Sequence, residues 1–513
     1  MENNGQLRRI LIATVISFAF FVAYDYFVLT PQQKAASQLV EQNKTTVKTV
    51  SNTNNAADKI SKKANNENVT TIATVSAKNF QIKIDSLGRI SSFKLKQTKF
   101  NTENGKHLEL VNDKLPKPLE IRFENKVLNK LAFEKPVKAD KTEITLNDKP
   151  QTLTLTQNLN DKEIVTKIIT FYPDGHYDVK VKLTNPAIYY ITPGYRPKVA
   201  VDKLTIHGLV VKKSDGTLSI IEDGDAVNET IDNAIITAGF DRYYTTLLFS
   251  KKPYSVIVVP DNEENPVAFI KADDNREFIG YIGPKFVDTL AAIDKELVDV
   301  VQYGVGTFFA KNLFFLLDWF YKLVGNWGVA IILLVVLVRL VLFPLTYKGM
   351  VSMYKLKELA PKMKEIQQKY KKDPQKLQMH MMKLYKEHGA NPLGGCLPLI
   401  LQIPVFYGIY KLLLYAIELK GASFLWIKDL SVMDPYFILP VLMGVSMYIH
   451  QKLTPTNFQD PMQEKIFKFL PLIFTFMMAT FPAGLVLYWT VNNILSIAQQ
   501  WLINRIMASK AKK

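Results

Sequence analysis

The sequence predicts an α-helical polytopic membrane protein with six transmembrane helices, five of them gathered in a C-terminal core, plus an extracytoplasmic all-β sandwich domain. Three observations carry that fold class. A 20-residue apolar run lies near the N-terminus, a dense hydrophobic block fills the chain beyond residue 307, and period-two alternation occupies the stretch between.

The 513 residues hold 64 Lys+Arg against 47 Asp+Glu, a formal charge of +17, and 48% are hydrophobic. Disorder along the whole chain is therefore excluded. Cys396 is the single cysteine, so no internal disulfide framework exists. A basic excess of this size suits nucleic acid or an anionic membrane, and its distribution along the chain decides between them.

Residues 1–9 read as a cytoplasmic N-terminus ending in Arg8 and Arg9. Residues 10–29 follow as the first transmembrane anchor, long enough at helical rise to cross a bilayer core. A cleaved signal peptide is the alternative, but its apolar region is shorter and ends in small residues, whereas here bulky residues and Pro31 follow. Residues 30–76, rich in Asn, Thr, Ser, Lys and Ala, bury too little apolar surface to fold alone and read as a flexible tether.

Residues 77–306 read as the β-sandwich domain. Phe80, Ile82 and Ile84 alternate with polar residues, as do Tyr177, Val179, Val181 and Leu183. Pro173-Asp174-Gly175-His176 marks a hairpin turn between two such runs. No paired carboxylates, Cys/His cluster or nucleophile motif stands out there, and His176 and His207 are isolated.

Residues 307–324 form an amphipathic interfacial helix. Lys311, Asp318 and Lys322 fall within about 40° of one another on a helix otherwise made of Phe, Leu and Trp. Residues 327–346 are the second transmembrane helix. Residues 347–390 are a cytoplasmic helical hairpin, with Leu356, Leu359, Met363, Ile366 and Tyr370 facing Leu377, Met381 and Leu384 across the break at Asp373-Pro374. Residues 393–506 supply four more transmembrane helices, the last two separated by Pro482-Ala483-Gly484, and 507–513 are a basic tail.

Charge fixes the topology. The 347–390 segment holds 11 Lys against 4 acids, and the chain end carries Arg505, Lys510, Lys512 and Lys513 with no acid. With six spans and the interfacial helix uncounted, both fall in the cytoplasm, as the positive-inside rule requires. The stretch 30–306 then faces outward with 38 basic and 35 acidic residues, a net +3. The excess charge is thus a topology signal rather than a nucleic-acid footprint. Lys355, Lys362 and Lys369 on the hairpin form a docking surface whose occupant is either anionic lipid or a protein such as a ribosome or targeting receptor.

Ionisable groups at membrane depth are functional candidates by default. Arg339 lies about 12 Å from the cytoplasmic end of its helix. An arginine side chain reaches roughly 6 Å, so simple snorkelling falls short and a polar cavity fits better. Gln402, Tyr488, Asn492 and Asn493 also lie inside predicted spans, each alone an ordinary interhelical hydrogen-bonding group. No Asp or Glu lies deep in the last five spans, and no inverted repeat is evident, which counts against a small-solute transporter or channel.

The motifs GNWGVAIILLVVLVRLVLFPLT, ANPLGGCLPLILQIPVFYGIYKLL, DPYFILPVLMG, DPMQEKIFKFLPLIFTF and FPAGLVLYWTVNN, in that order, resemble the YidC membrane-protein insertase family. The anchor and outward β-domain resemble the Gram-negative form, whose periplasmic domain is a β-supersandwich. The resemblance implies a five-helix insertase core in the bacterial inner membrane, with both termini cytoplasmic. It implies a hydrophilic groove open to cytoplasm and lipid, lined by Arg339, Gln402, Tyr488, Trp489, Asn492 and Asn493. There the arginine attracts the polar extracytoplasmic part of a nascent membrane protein. The implied partners are nascent membrane proteins, the Sec translocon and anionic lipid. No catalysis, cofactor or metal is implied, since burying roughly 20 apolar residues supplies the drive. Val335 stands where relatives often carry Thr, which removes one groove hydroxyl.

Overall fold

The computed structural model describes residues 69–511 apart from 103, 115, 201–204, 274, 304–306, 371–372, 389–396 and 454–460. The expected anchor, most of the tether and the Gln402 side chain lie outside the described residues.

Two sheets build the N-terminal part. A five-stranded sheet runs in the order Leu108–Glu109, Ile90–Leu95, Phe80–Asp85, Thr71–Ser76, Glu143–Thr145. A twelve-stranded sheet has its main path from Leu218–Glu222 through Gly208–Lys213, Glu229–Phe240, Tyr244–Pro260, Glu277–Pro284, His176–Leu183, Ile164–Phe171 and Gln151–Asn158 to Lys138–Ala139. The alternating residues do what period two dictates. Ile82 and Ile84 of the small sheet and Leu153, Leu155, Val179 and Val181 of the large one, each at most 1% exposed, share one apolar core.

Two details differ from the sequence reading. The strand Thr71–Ser76 falls inside the stretch assigned to the tether. Its Thr-rich composition conceals the alternation that buries Ala73 and Val75. The domain is also β-rich rather than all-β, because helix α1 (Lys126–Glu134) interrupts it. Asn125 caps α1 by accepting from the N–H groups of Val127 and Leu128 at 2.9 and 3.2 Å, which favours a helix locally over a further strand.

The two longest strands, Glu229–Phe240 and Tyr244–Pro260, form a hairpin whose turn is pinned by Asp241. Its carboxylate accepts from the backbone N–H groups of Tyr243, Tyr244, Val199 and Ala200, at 2.7–3.1 Å. On one face this hairpin faces the sandwich core. On the other, Ile236, Phe240, Leu247 and Phe249 join a second core that continues into the helices.

Helix α2 (Val287–Ile293) and a 3-10 turn at Lys295–Val300 lead to α3 (Thr307–Val324). Ala310, Phe314 and Leu317 of α3 are buried in the second core, while Phe309, Phe315, Leu316, Trp319 and Leu323 are exposed. The charged stripe on α3 does not simply face headgroups. Lys311 pairs with Asp299, and Lys322 with Asp318 at 2.6 Å and Asp288 at 3.4 Å, so the preceding segment clamps the helix.

Helix α4 (Trp327–Lys369) is one continuous helix through Pro344 and Pro361, with no break where the transmembrane helix was expected to give way to the hairpin. Beside the bond Pro344 cannot make, the Thr346 hydroxyl donates to the carbonyls of Leu342 and Phe343, both at 3.1 Å. Among the described residues, Trp327–Leu356 is the stretch long and apolar enough to cross a membrane. Helix α5 (Pro374–Glu387) returns against the end of α4, burying Leu359, Met363, Met381 and Leu384 together.

Helices α6 (Leu397–Tyr415), α7 (Ile438–Leu453), α8 (Pro461–Met478) and α9 (Ala483–Ala511) complete the chain. Helix α9 packs along both α4 and α7, α7 along α8, and α3 along α4 and α6. Gly444 lets α7 and α8 approach closely, since a Cβ there would lie 1.9 Å from Thr475 Oγ1.

Candidate functional site: an arginine between two parallel helices

Helix α4 presents Val335, Arg339, Leu342 and Thr346, and α9 presents Tyr488, Asn492, Ser496 and Gln499. Steps of three and four place each set on one stripe. Arg339 meets Asn492 and Thr346 meets Gln499, seven residues further on in both helices, so the two run parallel in register.

Four hydrogen bonds tie the guanidinium to this stripe. Nε donates to Asn492 Oδ1 at 2.9 Å, Nη2 to the Asn492 carbonyl at 3.1 Å and to Ser496 Oγ, and Nη1 to Gln499 Oε1 at 3.4 Å. Ser496 Oγ donates in turn to the Asn492 carbonyl at 2.7 Å. Gln499 Nε2 donates to Thr346 Oγ1 at 2.8 Å, closing a second rung. Every one of these partners to the guanidinium is a neutral oxygen, and no carboxylate pairs with Arg339 among the described residues. A small cleft beside it is lined by Val335, Val338, Leu342, Thr346, Val405, Tyr488 and Asn492. An arginine cannot lose its charge, so the cleft offers a permanent cation whose partners are all neutral.

The predicted groove residues divide. Arg339, Tyr488 and Asn492 share the cleft. Trp489 does not face it: its ring packs edge-on to Phe406 at 4.8 Å and against Phe474 at 5.6 Å. Asn493 lies one helical step away and donates to Ser446 Oγ of α7 at 3.3 Å. Sequence reasoning overlooked Ser496 and Thr346, although i+4 from Asn492 and i+7 from Arg339 mark both. On the hairpin, Lys362 and Lys369 are exposed and Lys355 is half-buried.

The N-terminal ends of α4 and α9 are both tied to the loop between α6 and α7. The amides of Ala483 and Gly484, opening α9, donate to the carbonyls of Val432 and Leu430 at 2.7 and 2.9 Å. Asn326, which caps α4, donates to the Ser423 carbonyl at 3.1 Å. Asp434 is 1% exposed and accepts from Trp426 Nε1 at 3.1 Å and Leu439 N at 2.7 Å, fixing the loop to α7. Among the described residues no group of three or more His, Cys, Asp or Glu is placed to hold a metal.

Residues 319–511, which contain this helix pair, match the family described as 60Kd inner membrane protein. A Wolinella succinogenes protein named membrane protein insertase YidC is 51% identical over 519 residues, covering 98% of this chain and 96% of that protein. The chain belongs to the YidC membrane protein insertase family. A Campylobacter jejuni protein of the same name is 48% identical, covering 100% of this chain and 98% of its own length. A crystal structure described as an active YidC insertase with its first transmembrane domain resolved matches over 84% of this chain and 94% of its own, at 22% identity and a TM-score of 0.38. The YidC relatives match the β-rich part as well as the helical core, and they lend no support to a small-solute transporter or channel.

Proposed function

We propose that this chain inserts and helps fold inner-membrane proteins by drawing the polar extracytoplasmic part of a nascent chain to Arg339. The single observation that carries the reading is the state of that guanidinium: a permanent charge on an apolar helix, satisfied only by neutral oxygens of α9. An ionised carboxylate adds ion-pair attraction and a bidentate fit to the guanidinium that the neutral oxygens lack, so an acidic substrate segment displaces those oxygens favourably. The loop over the outer end blocks passage straight through, and the substrate's apolar segment leaves sideways into lipid, where burial of its side chains drives insertion.

In this reading the chain spans the inner membrane six times with both termini cytoplasmic, and its β-rich part is periplasmic. It acts alone on small substrates and beside the Sec translocon on larger ones. The lysines of the α4–α5 hairpin meet anionic lipid or a ribosome or targeting receptor. Its chemistry is positional, with no covalent step.

The test is insertion by the purified full chain in lipid vesicles, scored as protease protection of a reporter with an acidic extracytoplasmic segment. Arg339→Ala lowers insertion of that reporter at least ten-fold, about the loss of one charged hydrogen-bond set. Unimpaired insertion by the Ala variant sinks the groove mechanism.

A further inference from the structure

The third donor face of Arg339 is covered by a residue that makes a second bond across the helix pair. Gln499 accepts from Nη1 through Oε1 at 3.4 Å while its Nε2 donates to Thr346 Oγ1 at 2.8 Å. The first distance is long and the second short, so Gln499 is anchored by Thr346 and only lightly held by the arginine. Thr346 is itself 5% exposed, and its hydroxyl donates to the Leu342 and Phe343 carbonyls. The threonine oxygen therefore stays in place whether or not Gln499 is present.

Position adds to geometry. Thr346 lies seven residues, or roughly 10 Å at helical rise, beyond Arg339 towards the end of α4 that leads into the lysine-rich hairpin. A polar segment arriving from that side meets the Thr346–Gln499 rung before it meets the guanidinium. The other bonds to Arg339 come from Asn492 and Ser496, whose oxygens lie on the far side of the rung and are tied to one another. Gln499 is the partner closest to the entry side.

We propose that Gln499 is a placeholder for the substrate carboxylate: it occupies Arg339 Nη1 in the resting protein, is held there by Thr346, and yields to an ionised side chain entering from the hairpin side. The exchange sets substrate preference. Replacing an amide oxygen by a carboxylate adds ion-pair attraction and a bidentate fit, whereas replacing it by a neutral substrate amide exchanges like for like. Gln499 is thus a specificity-determining residue whose removal frees the arginine and whose replacement by a carboxylate blocks it. This rests on the insertase reading above.

Two substitutions at this position have opposite expected signs, which separates the proposal from a merely structural role. Gln499→Leu removes the placeholder and leaves the Thr346 hydroxyl with its own acceptors, so a reporter with an acidic extracytoplasmic segment inserts about five-fold faster, the factor that one net hydrogen bond represents. Gln499→Glu supplies a tethered carboxylate that outcompetes the substrate, and the same reporter inserts at least about ten-fold slower. A reporter of equal hydrophobicity with no polar extracytoplasmic segment is unmoved by either change. In an Arg339→Ala background both substitutions lose their effect on the acidic reporter. All rates come from the full chain in vesicles, with thermal unfolding of each variant alongside. Slower insertion by both variants, or an unchanged rate for Gln499→Glu, overturns the placeholder. Failure of the unsubstituted chain to insert either reporter overturns the insertase reading instead.

Discussion

The side chain of Asn492 accepts from Arg339 Nε at 2.9 Å, and its backbone carbonyl accepts from Nη2 of the same guanidinium at 3.1 Å. One residue of α9 is gripped by both arms of a fork projecting from α4. The arginine is therefore a bolt between two helices as well as a charge in a cleft, and the two roles respond differently to substitution.

Arg339→Lys separates them. Lysine keeps a point charge but lacks the planar fork, so it cannot bond Asn492 Oδ1, the Asn492 carbonyl and Ser496 together. The expected result is retained insertion of acid-bearing reporters with a loss of about 1.5–3 kcal/mol in stability, typical of hydrogen bonds to a charged group. Thermal unfolding in detergent measures it. A lysine variant as stable as the parent shows that the bonds across the pair contribute nothing.

Gly328 permits a second close approach. A Cβ at this position, in the first turn of α4, would lie 2.2 Å from the Phe424 ring in the loop between α6 and α7. Gly328→Ala must push that ring away and, with it, the Ser423 carbonyl that receives Asn326. A loss of about 1–3 kcal/mol is expected, as for overpacking elsewhere. Pairing it with Phe424→Ala tests the cause: the double variant recovers part of the loss if the clash is real, and shows simple addition if it is not.

In the β-rich part the sheets meet over a buried ionic cluster. Glu120, 1% exposed, accepts from Arg89 Nη1 at 2.9 Å and from Arg122 Nη2 at 2.8 Å, while Arg89 Nε reaches Asp85 at 2.8 Å. Lys167 donates to the Gly88 and Leu119 carbonyls beside them, and burial lowers its pKa to about 7. Glu120→Gln leaves the buried Arg122 guanidinium without a carboxylate and Arg89 with Asp85 alone, so it costs about 3–5 kcal/mol. Near-ultraviolet circular dichroism during thermal unfolding of the full chain reports it through the many buried tyrosines. A shift under one-third of that range contradicts the cluster's role.

Much of this arrangement was legible in the residues because it follows from periodicity. Alternation at Ile82, Ile84, Val179 and Val181 announces buried strand faces, and Leu359, Met363, Met381 and Leu384 announce the hairpin seam. Arg339 stands out because charge is costly in an apolar run. What was not legible depends on the angle at which helices meet. Asn492 and Asn493 are equally polar neighbours, yet about 100° of helical rotation sends one to Arg339 and the other to Ser446. Ser496 and Thr346 escaped notice because small hydroxyl residues inside spans commonly bond their own helix, as Thr490 does with the Val486 carbonyl. The strand Thr71–Ser76 was lost to composition, since a strand paired on both sides needs only two buried residues.

Acidity tests the junction between the β-rich part and the helices. Glu418 follows α6 in a 3-10 turn, and its Oε1 accepts from Val287 N at 3.4 Å. Burial pushes its pKa up from the usual 4.5 to about 7, opposed by that backbone bond and reinforced by Asp318 and Asp288. Lys99 faces the same carboxyl from the β-rich part, and Tyr303 lies within its field. Because the folded pKa exceeds the unfolded one, the native state binds more protons between the two values. The stability Glu418 contributes is therefore full below about 4.5 and is lost as pH rises through about 7. Glu418→Gln holds the site neutral at every pH. The parent and the Gln variant are expected to unfold at similar temperatures near about pH 5, and the variant at a higher temperature near about pH 8, because only the parent then buries a charge. A difference between the two that stays constant across this range removes Glu418 from the pH response of the junction.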